Sequence, residues 1–412
     1  MTLRDLTPDA ISEWNVIDGE KSIELAWWFD PNSGCHRNVR LTFCSGQLVD
    51  WRTLSAADRP LPLAAVPPLI NAHTHLEFST LPQPVKPPHP FTEWIRSVIR
   101  WRMNHPDSAT DNIREGLRES RSAGIGGIGE ITTSATGRNA VLAESDVVSF
   151  RELIGFLPDH VDEQVSEIQQ HIERLSAAGP KSCTAGISPH APYSVNPKLL
   201  DAAVETCHAQ ALPLAIHLAE TLSELELLDR GTGEFRSFLE SMGLWDNQVL
   251  RPGTSILSIF KQLCRVPRVL AVHCNHLTNR EIHFLGEHPH IAVVYCPRTH
   301  RYFEHTPHPW QKIRSAGGTV VLGTDGRSSN PDLSIWKELL FLAQQFPQRN
   351  DEELLPMATT LSAEALGVVD RIDGMTLITV PKHARSKRLL SSASHPTGRL
   401  RIQNNSAALK FG

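Results

Sequence analysis

VPPLINAHTH, residues 66–75, is the stretch of sequence on which the fold prediction depends. Its first seven residues, Val66–Ala72, form a short and mostly apolar run, which is typical of a buried β-strand. His73 and His75 follow, and side chains two residues apart on an extended segment project to the same side. The sequence therefore predicts a strand that ends in two imidazoles able to share one ligand. Alone this pair is a weak signal, because the chain contains 20 histidines.

Seven more short apolar runs, bounded by turn residues, follow this strand along the chain. Stretches with apolar residues at helical spacing lie between them, for example Phe91–Met103, Asp111–Ser122, Asp162–Ala177 and Pro197–Gln210. Strands that alternate with helices predict a parallel sheet, and eight strands predict closure into a (β/α)8 barrel of the TIM type. The alternation alone also fits an open, doubly wound sheet. The seven runs are Gly124–Ile131, Val147–Phe156, Thr184–Ser188, Leu212–Leu218, Arg268–His273, His290–Cys296 and Gly318–Thr324.

The two ends of the chain differ from its middle. Short strand-like pieces before Val66 (SIELAWWF, RNVRLTFC and GQLVDW) predict a small accessory β domain over residues 1–65, which the MTLITV piece within 370–385 is expected to join. The barrel is predicted to span residues 66–369. Residues 386–412 are predicted to form a polar tail, whose composition favours partial disorder.

Composition excludes several classes of protein. The 412 residues carry a formal net charge of -5 and no basic stripe, which argues against a nucleic-acid partner. We find no apolar run of the ~18 residues that a membrane helix needs, and the first thirty residues carry acids where a signal peptide would be apolar. The seven scattered cysteines include no CxxC pair and predict reduced thiols. We therefore expect a cytoplasmic protein with no membrane partner.

Polar residues lie at the carboxyl ends of the predicted strands, where the active sites of barrels are assembled from several strands. Residues far apart in the chain would converge there, and this shared position is more specific than any single motif. The residues are His73 and His75 after the first strand, His190 after the fourth, His217 and Glu220 at the end of the fifth, His273 at the end of the sixth and Asp325 after the eighth.

Three of these imidazoles and one carboxylate predict a metal site. Neutral imidazoles bind Zn²⁺, Fe²⁺ and similar ions, and a carboxylate compensates the charge. We expect His73, His75, His217 and Asp325 to hold one divalent ion, leaving a position for a water whose pKa falls toward ~7. Each residue alone also has a structural interpretation: His217 bonded to a backbone group, or Asp325 acting as a turn or helix-cap residue.

Two further residues are predicted to act on that water. Glu220, three residues beyond His217, is placed to carry a proton between the water and a leaving group. His273 is placed to orient the water or to stabilise developing charge. Four other histidines are predicted to be surface or loop residues: His276, His300, His305 and His308.

At these positions the chain resembles the amidohydrolase superfamily. The similar segments are NAHTHLEFS, GISPHAPYSV, IHLAET, VHCNHL, YCPRTHRYF and LGTDGRSSNPDLS, and the likeness covers about residues 66–367. It is greatest to the mononuclear deaminase and chlorohydrolase branch, whose metal ligands match His73, His75, His217 and Asp325. That resemblance implies that Glu220 is the catalytic acid and base. The fourth strand ends in Ile-Ser-Pro-His and lacks the lysine of the binuclear branch.

A closer likeness is to aminodeoxyfutalosine deaminases, through NAHTHLEFS, FTEWIRSVIRWR, FRELIGF, SPHAPYSV and CPRTHRYF. It implies that His190, Arg151, Glu152 and Trp94 line the substrate pocket, and that the enzyme is a homodimer. Arg151 and Glu152 also fit a structural ion pair, and Trp94 fits helix packing. The chain departs from the family where Pro67-Pro68 replaces a usual Pro-Gly, and after Gly367, where the usual GxLxxGxxADL-type segment is missing.

These residues predict a metal-dependent hydrolase that deaminates an aminated heterocycle, which the resemblance narrows to a 6-aminopurine nucleoside derivative. The same site would also serve a chlorohydrolase acting on a triazine-like ring, or an enzyme that opens a cyclic amide. A third hypothesis is a barrel that binds metal or ligand without turnover. The presence of Glu220 argues against that hypothesis, since a site that only binds does not need a proton carrier.

Overall fold

The computed structural model describes residues 13–15, 20–55, 57–105, 108–179, 181–381 and 388–401. Its strands form two sheets, one of seven strands and one of eight. In chain order the strands are β1 Glu13–Asn15, β2 Glu20–Asp30, β3 Gly34–Cys44, β4 Gln47–Thr53, β5 Leu61–Val66, β6 Leu69–Thr74, β7 Ile125–Thr132, β8 Val147–Leu153, β9 Thr184–Pro189, β10 Leu214–Leu218, β11 Val269–His273, β12 Ile291–Tyr295, β13 Val320–Leu322, β14 Met375–Thr379 and β15 Pro396–Arg401.

Fourteen α-helices lie within the described ranges. Helix α5 shows how the sequence sets a boundary: the Asn196 side chain accepts a hydrogen bond from the Lys198 N–H, and Pro197 takes the first helical position, which needs no donor. The helices are α1 Phe91–Asn104, α2 Ala109–Ser122, α3 Ala135–Val141, α4 Val161–Ala177, α5 Pro197–Gln210, α6 Leu222–Arg230, α7 Glu234–Ser241, α8 Ile256–Leu263, α9 Asn279–Glu287, α10 Pro297–Tyr302, α11 Trp310–Ser315, α12 Ile335–Gln345, α13 Asp351–Leu354 and α14 Thr360–Leu366.

The eight-stranded sheet is the predicted (β/α)8 barrel. Strands β6 to β13 are parallel and stand side by side in chain order. The first and last strands meet through the His73 carbonyl, which accepts hydrogen bonds from the N–H groups of Thr324 and Asp325, both at 3.1 Å. The Asn71 side chain adds two bonds to Thr324. Gly323 permits this close approach, since a Cβ there would lie 3.0 Å from His73.

The seven-stranded sheet, here called the small sheet, has the spatial order β1-β15-β14-β5-β2-β3-β4. Strands β2 and β3 form a long antiparallel hairpin, and strand β5 pairs with β2 in parallel and with β14 antiparallel. Its apolar core, called the sheet core below, consists of Ile23, Leu25, Trp28, Val39, Leu41, Phe43, Leu63, Ala65, Leu377 and Leu400.

Thr376 of strand β14 joins the small sheet to the barrel. Its hydroxyl donates to the Gly124 carbonyl at 2.8 Å and accepts from the Leu69 N–H at 3.2 Å. Leu69 begins β6 and Gly124 immediately precedes β7, so the contact lies at the amino ends of the barrel strands. The small sheet is therefore attached, at this point, to the end of the barrel opposite the predicted site.

Two boundaries differ from the sequence prediction. The run Val66–Ala72, predicted as one strand, is divided: Val66 ends β5 in the small sheet, and the barrel strand β6 begins at Leu69. Pro67 and Pro68 separate the two strands, because proline has no N–H to donate to a sheet. Strand β15 lies inside the predicted polar tail, where Leu400 joins the sheet core; residues 402–412 of that tail lie outside the described residues.

No helix in the part of the chain that the structure describes is both long enough and apolar enough to cross a membrane.

Candidate active site

Six polar side chains converge at the carboxyl ends of the barrel strands, and all six are buried. Nε2 of His75 lies 3.3 Å from Nε2 of His217. Oδ1 of Asp325 lies 3.7 Å from Nε2 of His73 and 3.6 Å from Nε2 of His75. These residues come from strands β6 and β10 and from the turns after β6 and β13, as the sequence predicts. We call the group the barrel mouth: His73, His75, His217, Glu220, His273 and Asp325.

The donor atoms of the barrel mouth fit a metal ion. Ligand atoms of His73, His75 and Asp325 lie within 4.8 Å of one another, and so do those of His73, His217 and His273. Both ring nitrogens of His73 are buried with no hydrogen-bond partner. Buried polar atoms without a partner are rare and destabilising. A bound ion would be the partner of Nε2 of His73.

Hydrogen bonds outside the group aim these ligands. Nδ1 of His217 lies 2.9 Å from the His190 carbonyl oxygen and donates to it, which leaves Nε2 of His217 with a lone pair. The Ser329 hydroxyl donates to Oδ2 of Asp325 at 2.7 Å. The free lone pairs therefore face the centre of the barrel mouth.

Burial sets the charge state of the site. It lowers the pKa of His75 and of His273 to about 3, so both imidazoles are neutral near pH 7, the form that binds a cation. Burial acts to raise the pKa of Asp325, but the imidazoles of His73, His75 and His273 outweigh it and hold that pKa below its ordinary value. Asp325 is therefore the anion of the ligand group.

Glu220 lies beside the ligands, and its pKa is shifted in the direction opposite to that of Asp325. Burial, then the charges of Asp325 and Glu224, raise the pKa of Glu220 well above its ordinary value. Oε1 of Glu220 is 3.5 Å from Nε2 of His273. A carboxyl group whose pKa is shifted toward neutrality can both accept and return a proton, so the geometry suits the predicted proton carrier.

A cavity of ≈350 Å³ opens from the barrel mouth. Three of the four residues predicted to contact the substrate line it: Trp94, Glu152 and His190. Arg151 does not, and that prediction is corrected. Neighbouring residues on a strand point to opposite faces, so with Glu152 facing the cavity Arg151 turns away, where it donates to the Thr133 carbonyl and lies 3.4 Å from Glu167.

Comparison with known proteins identifies the family of the chain. Residues 64–373, more than half of the chain, match the sequence model of the Amidohydrolase family. The chain belongs to the amidohydrolase family. This amidohydrolase is 28% identical over 331 residues to the aminodeoxyfutalosine deaminase of Deinococcus radiodurans, covering 76% of this chain and 75% of that protein.

Two more known proteins are similar to this amidohydrolase. It is 26% identical over 328 residues to the 5-methylthioadenosine/S-adenosylhomocysteine deaminase of Carboxydothermus hydrogenoformans, covering 74% of this chain and 68% of that protein. The crystal structure of Helicobacter pylori aminofutalosine deaminase, in complex with methylthio-coformycin, superposes with a TM-score of 0.74 at 19% identity, covering 91% of this chain and 97% of that one. At that identity the superposition establishes the shared fold.

Sequence reasoning missed Glu224 of this amidohydrolase. The Glu224 carboxylate is buried and accepts the N–H groups of Ala219 at 3.0 Å and Glu220 at 2.8 Å. Thr221 caps the same helix, α6, by accepting the Glu224 N–H. The Thr-x-x-Glu spacing of residues 221–224 is a helix-start signal that could have drawn attention to Glu224. It does not indicate that Glu224 bonds to the backbone of the turn that carries Glu220.

His308 was predicted to be a surface or loop residue; it lies in the loop between α10 and α11, but it is not at the surface. Its side chain is buried, Nε2 donates to the His273 carbonyl at 2.7 Å, and Nδ1 accepts the Trp310 N–H at 3.0 Å. The backbone of His273 has a φ of 70°, which a residue with a side chain rarely adopts. His308 therefore helps to hold His273 in an unfavourable backbone conformation.

Backbone strain is concentrated at this end of the barrel. Ala219, Cys274 and Asp325 also have positive φ values, of 50°, 52° and 57°. Ala219 and Cys274 are adjacent in sequence to Glu220 and His273, and Asp325 itself belongs to the barrel mouth. Strain of this kind persists only where surrounding contacts impose it, and it gathers at functional sites.

Proposed function

We propose that this amidohydrolase holds one divalent metal ion, Zn²⁺ or Fe²⁺, and hydrolytically deaminates a 6-aminopurine nucleoside derivative. The observation that carries the proposal is the convergence of four ligand side chains with an acid, Glu220, whose pKa is raised. Of the relatives named above, the one at 28% identity is by name an aminodeoxyfutalosine deaminase, and the one at 26% is a 5-methylthioadenosine/S-adenosylhomocysteine deaminase.

His73, His75, His217 and Asp325 would hold the ion. When bound, it supplies Lewis acidity that makes a water molecule easier to deprotonate near neutral pH. The ligand set does not choose between zinc and iron, since both accept imidazole and carboxylate.

Glu220 performs the proton transfers in this proposal. It accepts a proton from the attacking water and passes protons to the ring and to the departing amine. The water oxygen bonds to the ring carbon that carries the amino group, the carbon–nitrogen bond breaks, and ammonia and a 6-oxopurine are released. His273 and Asp325 orient the water in this proposal. His273 lies 3.5 Å from the Glu220 carboxylate, and Asp325 lies 3.7 Å from His73 in the ligand group.

His190, Glu152 and Trp94 are proposed to contact the substrate, because all three line the cavity. Burial acts to raise the pKa of Glu152, but His190, Arg102 and His75 outweigh it and lower that pKa to about 2, so Glu152 offers a carboxylate acceptor. All seven cysteines are free thiols, which supports a reducing compartment and the proposal that the enzyme works in the cytoplasm.

Ammonia release tests the reaction class. The protein is stripped of metal, reloaded with Zn²⁺ or Fe²⁺, and incubated with adenosine, 5'-methylthioadenosine, S-adenosylhomocysteine and aminodeoxyfutalosine. We expect ammonia from at least one of them, only after reloading. Metal bound at one ion per chain, with no ammonia from any adenosine derivative, would overturn the proposal. Chloride from a chlorotriazine, or an acid from a cyclic amide, would then identify the alternative hydrolase.

A further inference from the structure

The cavity of the amidohydrolase has two chemically different parts. The inner part is lined by the barrel-mouth residues other than His73, together with Glu152 and His190. The outer part, here called the apolar compartment, is lined by side chains of α1, of α7 with the turn after it, and of the segment after β8. Its residues are Phe91, Trp94, Ile95, Val98, Ile99, Ile154, Phe156, Phe238, Leu239, Met242 and Leu244.

Several contacts join the walls of the apolar compartment. Both the N–H and the hydroxyl of Thr92 donate to Oε1 of Glu234, at 2.8 and 2.7 Å, which ties the start of α1 to the start of α7. The Phe91 ring packs 5.3 Å from the Trp94 ring. Trp94 Nε1 donates to the Ser328 carbonyl at 3.2 Å, so the indole N–H is occupied and only ring surface faces the cavity. These contacts connect α1 with α7 and with the segment after β13.

Among the described residues that line the cavity, no cation is unpaired. Arg102 is the one Arg or Lys among its described lining residues. Its guanidinium donates to both oxygens of Glu77, lies 3.8 Å from Glu152 and stacks over the Phe78 ring. The two other arginines of α1, Arg96 and Arg100, are not among the lining residues. Arg96 packs from outside against the compartment wall, 3.4 Å from Sδ of Met242 and over the Phe238 ring, and it pairs with Glu93 at 3.2 Å.

The remaining charges of the cavity are acidic or titratable. The acids that line it are Glu152, Glu220 and Asp325. His160 stands at the rim and lies 3.9 Å from Glu163. A ligand carboxylate in the apolar compartment would leave water and meet no unpaired positive side chain among the described lining residues, which is strongly unfavourable.

We propose that the substrate carries a neutral, apolar 5' substituent, which fills the apolar compartment, and that the enzyme discriminates against substituents bearing a carboxylate. The inference rests on the proposed function, because the amino group of the purine must point into the barrel mouth. The 5' position is then the part of the nucleoside that reaches outward, toward α1 and α7. Each methylene-sized group buried there raises kcat/KM roughly fourfold, and an unpaired carboxylate lowers it roughly 100-fold.

The test compares kcat/KM for nucleosides that differ only at the 5' position, using the metal-loaded enzyme. We expect 5'-methylthioadenosine to exceed 5'-deoxyadenosine, which exceeds adenosine. S-adenosylhomocysteine and aminodeoxyfutalosine, which carry carboxylates, should be roughly 100-fold poorer than 5'-methylthioadenosine. Equal or better turnover of either carboxylate substrate overturns the inference and leaves the proposed function standing. No turnover of any nucleoside by a metal-loaded enzyme contradicts the proposed function itself.

A variant locates the discrimination. Ile154 is 43% exposed at the cavity wall, so Ile154→Arg adds a cation without disturbing the core. The ratio of kcat/KM for aminodeoxyfutalosine to that for 5'-methylthioadenosine should rise at least tenfold. Ile154→Leu, which keeps the apolar surface, should preserve the wild-type ratio. An unchanged ratio in Ile154→Arg, with circular dichroism showing a folded protein, would refute the placement of the 5' substituent beside this wall.

Discussion

The barrel mouth and the sheet core are both buried, yet they are built in opposite ways. In the sheet core, apolar side chains fill the space, and the buried Glu24 beside it pairs with Arg40. In the barrel mouth the buried side chains are titratable, and His73 has two unpartnered ring nitrogens. His273 and Asp325 also have positive φ values.

This difference separates stability from function. The sheet core follows the rules that make a fold stable, whereas the barrel mouth breaks several of them at once. Destabilising features of this kind are retained where function requires them. Changes in the barrel mouth should therefore reduce activity far more than stability. Changes in the sheet core should do the reverse.

The largest effect is expected for Glu220→Gln. The amide cannot carry the proton, so kcat should fall by roughly 10³- to 10⁴-fold. The free energy of unfolding should stay the same or rise, because a buried acid is removed. Steady-state kinetics, metal content by mass spectrometry and urea unfolding measure the three quantities. A kcat within tenfold of wild type, at unchanged metal content, would disprove the role of Glu220.

Leu41→Ala probes the other side of the comparison. Leu41 is fully buried in the sheet core, and its truncation should lower the free energy of unfolding by about 2–5 kcal/mol. We expect kcat/KM of the folded enzyme to stay within twofold of wild type. Val49→Ala, at a site that is 57% exposed, is the matched control and should change stability by less than about 0.5 kcal/mol. A large loss of kcat in Leu41→Ala would mean that the two regions are coupled.

His171 tests a buried titratable group outside both regions. It lies on α4, within 2.9 Å of the Ser149 carbonyl, and burial lowers its pKa from 6.5 to about 4. Protonation therefore favours the unfolded chain, and the stability that His171 contributes above pH 6.5 is lost as the pH falls toward 4. This loss amounts to roughly 3 kcal/mol.

The measurement for His171 is a difference between two proteins. Urea unfolding of wild type and His171→Gln is followed from pH 7 to pH 4, and the stability advantage of wild type should shrink by that amount over the window. Parallel curves would show that His171 does not titrate as its burial implies. Activity at pH 7 should change little, in contrast to the barrel-mouth variant.

Glu224→Gln is expected to have the smallest effect. It tests whether a residue outside the barrel mouth positions Glu220. An amide has one acceptor oxygen, so one of the two bonds to the backbone of Ala219 and Glu220 is lost. We expect kcat to fall roughly 10- to 100-fold with KM nearly unchanged, because Glu220 is misplaced while the binding surface remains. Glu226→Gln, an exposed change on the same helix, is the control. Equal effects of the two substitutions would rule out a positioning role.

Much of the barrel could be predicted because its signals are local. Asn196 and Pro197 mark the start of α5, and the structure has that helix at the predicted residues, 197–210. The placement of barrel-mouth residues at strand ends followed from the same reasoning. Their roles as ligands and proton carrier stay predictions: removal and reloading of the metal tests the ligand group, and Glu220→Gln tests the proton carrier.

The misses share a tertiary cause. Burial of His308 depends on the path of the chain after β12, and no local pattern encodes its bond to the His273 carbonyl. Arg151 and Glu152 are adjacent in sequence, and only the register of β8 decides which one faces the cavity. Strand β15 falls in the predicted polar tail because its sequence, PTGRLR, has little apolar character, and only its pairing with β14 makes it a strand.

The order of strands in the small sheet has a consequence for synthesis on the ribosome. Strands β2 to β5 emerge early, whereas β14, which covers the free edge of β5, begins at Met375, after the whole barrel has been translated. An uncovered strand edge is a template for pairing with other chains. The nascent chain must therefore leave the edge of β5 unpaired through most of its translation. Strand β14 covers that edge when it is made, and β15 then adds to the sheet.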